Sequence, residues 1–249
     1  MLKSERFAKL LAILEENEFA TVKELSERLQ VSMPTVRRDL TELAAQERIL
    51  RSHGGATRVD DSRVMTPVDF RRSINAREKA ALARTAARLI RDDSVIFLDA
   101  STTVANIVDY LEPFRNLIVV TNSLMVAAHL KSQGGRVYCL AGEVISSSLA
   151  VGGRLALESA ENFNIDLMFF SSYGVNSRGM IVDPEESETE LRRSLLQRAD
   201  RSVFLCDSSK FGKSAAFSLA PLTSPDYVVT GAPLPPGYPD LGDRLIRAE

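Results

Sequence analysis

The chain has 249 residues, 45% of them hydrophobic and 26% charged, with 31 Lys and Arg against 33 Asp and Glu for a formal net charge of −2. That length fits one large domain or a small one joined to a medium one, with a core that needs no covalent staples. Taken as an average, the charge balance argues against an indiscriminate nucleic-acid binder.

The charged start, Met1-Leu2-Lys3-Ser4-Glu5-Arg6, is not that of a signal peptide. No apolar run approaches the roughly 18 residues of a membrane span. A cytoplasmic chain with no membrane association is therefore expected. In residues 4–17, Phe7, Leu10, Leu11 and Leu14 recur at helical spacing. Thr21 followed by Glu24 makes a capping box for a second helix reaching about residue 30, with Val22, Leu25 and Leu29 on one face. Val31-Ser32 forms a very short turn, Ser32 caps a third helix, and Pro34 suits its first turn. Val36, Leu40 and Leu43 give that helix an apolar face. Residues 49–52 and 56–59 read as two strands about the turn Gly54-Gly55. The pattern describes a helix-turn-helix with a winged tail.

The third helix carries the chemistry. Its apolar face leaves Met33, Pro34 and Arg37 near the exposed N-terminal end and Thr35, Arg38 and Glu42 along one flank. Recognition helices offer their N-terminal residues to base edges, and arginine reads guanine bidentately. An Arg-Arg pair on an ordinary helix is a solvated surface feature; at this place in a tri-helical pattern it reads as a DNA contact. Arg51 and His53 on the wing fit phosphates or the minor groove, with His53 as a plain turn residue an equal alternative. Residues 1–59 carry a net charge of only +1, but five arginines face three acids within 32–58. Positive charge is placed rather than abundant.

Val31-Ser32-Met33-Pro34-Thr35-Val36-Arg37-Arg38-Asp39-Leu40, followed by Leu50-Arg51-Ser52-His53-Gly54-Gly55-Ala56, resembles the DNA-binding signature of DeoR-family bacterial transcription regulators. The resemblance implies a winged helix-turn-helix over residues 1–58 that binds operator DNA as a homodimer or homotetramer. It makes Thr21, Ser32, Met33, Pro34, Thr35, Arg37, Arg38, Arg51, His53 and Gly54 the candidate DNA contacts.

Residues 59–75 lack periodicity and read as a linker. From residue 76 to 249, helices alternate with short apolar strands. Helices are expected over 80–90, 102–111, 124–131 and 188–197. Strands are expected over 95–98, 117–120, 137–140, 167–170, 203–205 and 227–230. This alternation predicts an α/β domain with a mainly parallel sheet covered on both faces. Cys139 and Cys206 lie in strand-like runs and are expected to be buried free thiols. With His53 and His129 far apart, no metal-ligand spacing exists, and neither metal nor cofactor is expected.

Ligands of such sheets bind beyond the carboxyl ends of the strands. Three hydroxyl-rich turns follow predicted strands: Asp99-Ala100-Ser101-Thr102-Thr103, Thr121-Asn122-Ser123 and Asp207-Ser208-Ser209-Lys210. Ser and Thr cap helices in any protein, but three such turns at one sheet edge suit an anion. Lys210 adds a point charge for a phosphate, and Asp99 could accept from sugar hydroxyls. The family resemblance continues over about 76–232 in these same turns, with Ser101 where the family usually has glycine and Ala141-Gly142 where it often has two glycines. It implies a domain similar in fold to ribose-phosphate isomerases that senses a phosphorylated sugar. Through the segment Asp183-Pro184-Glu185-Glu186-Ser187-Glu188, it adds Glu188 to Asp99, Ser101, Thr102, Thr103, Thr121, Asn122, Ser123 and Lys210. The expected function is a regulator, in this family most often a repressor, of a carbohydrate-use operon. An isomerase is the rival reading, disfavoured because the turn Ser172-Tyr173-Gly174-Val175-Asn176 offers no carboxylate base. A DNA binder without small-molecule control would have no use for the three turns.

Overall fold

The computed structural model describes residues 2–16, 19–45, 49–51, 54–58 and 68–248. The chain divides into two units, Met1–Ile74 and Asn75–Glu249.

In the first unit α1 (Lys3–Glu16), α2 (Val22–Leu29) and α3 (Met33–Ala45) enclose a core of Leu10, Leu14, Leu25, Val36, Leu40 and Leu43. Thr21 caps α2 as its sequence requires: its hydroxyl accepts from Glu24 N at 3.1 Å, and its own N–H donates to Glu24 Oε2 at 2.8 Å. Gln30 closes α2 in the left-handed region, at φ 52°, so the chain reverses within a few residues into α3. The strands β1 (Ala20–Thr21), β2 (Ile49–Arg51) and β3 (Gly55–Arg58) form an antiparallel sheet in the order β1-β3-β2. Gly55 is required there, because a Cβ would collide with the Ala20 carbonyl and the Phe19 ring. The expected linker contains a short helix, α4 (Val68–Ser73); residues 59–67 lie outside the described residues.

The second unit is built on seven parallel strands. They are β4 (Val95–Leu98), β5 (Ile118–Thr121), β6 (Val137–Cys139), β9 (Leu167–Phe170), β12 (Ser202–Leu205), β14 (Tyr227–Thr230) and β15 (Leu245–Arg247), in the order β15-β14-β12-β9-β4-β5-β6. Successive residues of one strand face opposite cores. Ile96, Leu98, Phe169 and Leu205 pack on one side, Phe97, Phe170 and Phe204 on the other. Each such aromatic, fully buried, contributes roughly 1.5–3 kcal/mol. Helices α5 (Ala76–Ala87), α6 (Leu124–Ser132), α7 (Arg154–Ala160) and α8 (Glu186–Arg198) complete the layers. The first strand of this sheet, β4, is an interior one, and the chain builds outward from it in both directions. The strand order therefore reverses between β4 and β9, where open α/β sheets hold their ligands.

Several elements differ from expectation. The helix expected over 102–111 is a 3₁₀ helix over residues 104–110. The hairpin β7 (Glu143–Ile145) with β8 (Ala150–Gly152), and the small sheet of β10 (Gly174–Val175), β11 (Met180–Asp183) and β13 (Phe217–Pro221), have no counterpart in the periodicity. Cys206 is buried, but Cys139 is exposed, because β6 is an edge strand.

Candidate functional site

The N-terminal end of α3 is an open surface. Met33, Pro34, Arg37 and Arg38 are exposed. Ser32 Oγ lies 2.9 Å from Thr35 Oγ1 and accepts from Thr35 N at 3.4 Å, fixing the first turn. Beneath it, Asp39 is 2% exposed and is held by both Nε and Nη2 of Arg6, the latter at 3.0 Å. Lys3 pairs with Glu42 at 2.6 Å. The acids of α3 are thus engaged by α1, while Arg37 and Arg38 have no side-chain partner among the described residues. The Thr21 hydroxyl is occupied in its cap. Gly54 is an exposed turn residue whose carbonyl accepts from Val22 N at 2.8 Å. Arg51 lies in β2, its side chain outside the described atoms, and His53 lies outside the described residues.

At the carboxyl edge of the large sheet, four consecutive strands, β12, β9, β4 and β5, end in polar turns. Asp99, after β4, is fully buried and organises its neighbours. Its oxygens accept from Ser101 N at 2.9 Å, Ser171 N at 3.1 Å and Arg192 Nε at 2.9 Å. Ser101 Oγ then caps the 3₁₀ helix by accepting from Val104 N at 3.1 Å. Thr121 Oγ1 donates to Leu98 O at 2.6 Å and accepts from Ser123 N at 3.0 Å, while Ser123 Oγ caps α6 through Val126 N at 3.2 Å. Asp207, after β12, accepts from Asn75 Nδ2 at 3.0 Å and Ser209 N at 3.1 Å. Several hydroxyls and carboxylates expected to meet a ligand are therefore spent holding the turns.

Lysines supply the positive charge. Lys210 Nζ donates to Ser172 O and lies 3.9 Å from Asp207 Oδ2. Lys79, buried on α5, donates to Thr102 Oγ1 at 3.1 Å. Lys213 Nζ lies 5.1 Å from the Tyr173 ring centroid. Burial and then Lys210 push the Lys213 amine below its ordinary value. Burial alone would raise Asp207, but Lys210, Ser209, Asn75 and Lys79 together hold its carboxyl below the usual range. Lys79, Lys213, Ser171 and Arg192 escaped sequence reasoning. Only Arg192 had a local signal, its i,i+4 spacing from Glu188.

Arg192 anchors a buried ionic cluster, meeting Asp183 at 3.1 Å and Glu188 at 2.6 Å besides Asp99. Burial works against its charge, and the three carboxylates hold it protonated. Burial, with Glu188 adding to it against Arg192, pushes Asp183 up. Among the described residues, four buried side-chain oxygens have no hydrogen-bond partner: Thr103 Oγ1, Asn122 Oδ1, Ser148 Oγ and Glu188 Oε1. Thr103 follows β4, Asn122 follows β5, and Glu188 joins the β4 turn through Arg192. Ser148 belongs to the hairpin that pairs with the β5 turn, through the bridge Ser123–Ala150. Unsatisfied buried polar groups are costly, on the order of 1–3 kcal/mol each, and here they gather at one edge. Also among the described residues, no helix is long and apolar enough to cross a membrane, and no His, Cys, Asp and Glu group could hold a metal.

A model of the DeoR-like helix-turn-helix domain matches residues 6–62, and one of the DeoR C terminal sensor domain matches 74–232. The glycerol-3-phosphate regulon repressor of Escherichia coli is 31% identical over 100% of this chain and 99% of its own. The HTH-type transcriptional regulator GolR of Listeria innocua is 33% identical over 92% and 91%. Among solved structures, ribose 5-phosphate isomerase A from Methanocaldococcus jannaschii aligns with a TM-score of 0.42 at 16% identity, over 55% of each chain.

Proposed function

The chain belongs to the DeoR family of transcription regulators, and on that footing we propose that it is a repressor of a carbohydrate-use operon whose operator affinity is set by a phosphorylated sugar. The carrying observation is the meeting of two kinds of group at one sheet edge. Lys79, Lys210 and Lys213 supply positive charge there, and the four unpartnered oxygens await hydrogen-bond partners. Asn122 Oδ1 and a Glu188 carboxylate oxygen are acceptors, so they call for hydroxyl donors; the lysines call for a phosphate. A polyhydroxylated monophosphate carries both. The turns after β4 and β5 then contribute Ser101, Thr102, Thr103, Thr121, Asn122 and Ser123, with Asp99 as a buried organiser rather than a direct contact.

In this reading residues 1–58 form the DNA-binding head, 59–75 the linker and 76–249 the effector domain. Met33, Pro34, Thr35, Arg37 and Arg38 meet base edges, and Ser32 and the wing meet the backbone. A head with so little net charge needs a partner copy, so a cytoplasmic homodimer or homotetramer reads a symmetric operator. Effector binding shifts the population toward an arrangement with weaker operator affinity. The name of the Escherichia coli relative puts glycerol 3-phosphate on the panel of effectors to try. Thermal shifts of the full chain against inorganic phosphate, glycerol 3-phosphate and hexose phosphates test the site. A rise in melting temperature that Lys210→Ala abolishes supports it; indifference to every member speaks against it.

A further inference from the structure

We propose that Ser148, in the turn of the β7–β8 hairpin, is a ligand-contacting residue that reads a hydroxyl of the effector. The inference rests on the sugar-phosphate reading of this edge and assigns to it a residue from outside the strand-end turns. The hairpin is fastened to the turn after β5: Val151 N donates to Asn122 O at 2.7 Å, Leu124 N to Leu149 O at 3.0 Å, and Asn122 Nδ2 to Val151 O at 3.3 Å. Its other flank meets the start of α8, where a Cβ on Gly152 would stand 3.0 Å from Ser187 Oγ, next to Glu188. The hairpin therefore touches Asn122 and the residue beside Glu188, and Asn122 and Glu188 carry two of the other unpartnered oxygens.

Within its turn Leu149 is held at φ 50°, a left-handed conformation that leucine rarely adopts. The Ser148 hydroxyl beside it is 1% exposed and unpartnered. Strained backbone and an unsatisfied hydroxyl on adjacent residues do not stabilise the fold. Both are features that collect at ligand clamps, and a ligand hydroxyl satisfies the second.

Calorimetric titration of the full chain and of Ser148→Ala, with inorganic phosphate and then with hexose phosphates and glycerol 3-phosphate, tests this. The expected result is about tenfold weaker binding of the sugar phosphate by Ser148→Ala. Phosphate binding should stay within twofold, and the ligand-free melting temperature should be equal to or above wild type. Wild-type affinity for the sugar phosphate in Ser148→Ala, with the response still lost in Lys210→Ala, overturns the assignment of Ser148 alone. A lower ligand-free melting temperature also overturns it, since the hydroxyl is then structural. A wild-type chain that binds no member of the panel overturns the sugar-phosphate reading itself.

Discussion

Arg192 Nε donates to Asp99 Oδ2 at 2.9 Å across 93 residues of sequence, with both side chains buried at the point where the strand order reverses. This contact fastens α8, and with it Glu188 and Asp183, to the turn after β4. One guanidinium serves three carboxylates, so its removal leaves uncompensated buried charge.

Arg192→Met should therefore destabilise the second unit by about 3–5 kcal/mol, the usual result of removing one partner of a buried pair. Urea unfolding at neutral pH measures it. Without Arg192, Asp183 loses the influence that draws its raised value down. The unfavourable contribution of an ionised Asp183 is present above its folded value and relieved as pH falls through it. The deficit should thus shrink as the pH is lowered from neutral.

In the first unit, Asp39→Ala should lower stability by about 1–3 kcal/mol by leaving the partly buried Arg6 without its carboxylate. Arg38→Ala should leave stability unchanged and reduce specific DNA binding by roughly 1–3 kcal/mol. Thermal unfolding and fluorescence anisotropy on DNA from upstream of the regulated genes separate the two effects. Equal losses of stability would remove Arg38 from the proposed interface.

Thr21→Ala removes the cap of α2 and should cost about 1 kcal/mol. Because the Thr21 hydroxyl is already occupied, the DNA affinity of the folded head should change little. A large loss at full folding would return Thr21 to the list of direct contacts.

The local features of this fold were legible because they depend on residues a few positions apart. The Thr21–Glu24 capping box, the apolar stripe of Val36, Leu40 and Leu43, and the three polar turns all follow from short spacings. What was not legible depends on distant pairing. Lys79 meets Thr102, and Arg192 meets Asp99, yet each looks in the sequence like one more charge on a helix. The β7–β8 hairpin is two strands of three residues, one mostly exposed and the other wholly buried, too short for a period-2 signal. Cys139 sits in an apolar run whose exposure follows from its place at the sheet edge, which no single strand discloses.

Asp207 and Lys213 also make the second unit sensitive to pH. Asp207 lies below its ordinary 3.8, so its contribution to stability is complete above that value and lost as pH falls through the folded one. Lys213 lies below its ordinary 10.5, and a bound phosphate favours the protonated amine. Phosphate affinity should therefore weaken at a lower pH than an ordinary lysine would dictate, and Lys213→Arg should move that loss upward. Titrations between pH 7 and 10 follow it; identical profiles for the two proteins would place Lys213 outside the anion site.

The central claim is that a phosphorylated sugar at the edge formed by β12, β9, β4 and β5 controls DNA binding. Its most direct test is the affinity of the full chain for operator DNA, measured by anisotropy with and without the panel of phosphorylated sugars. The account predicts that one member weakens DNA binding at least tenfold in the wild type, and that Lys210→Ala binds the same DNA but no longer responds. DNA affinity that no member changes, or a Lys210→Ala protein released as readily as the wild type, would contradict it.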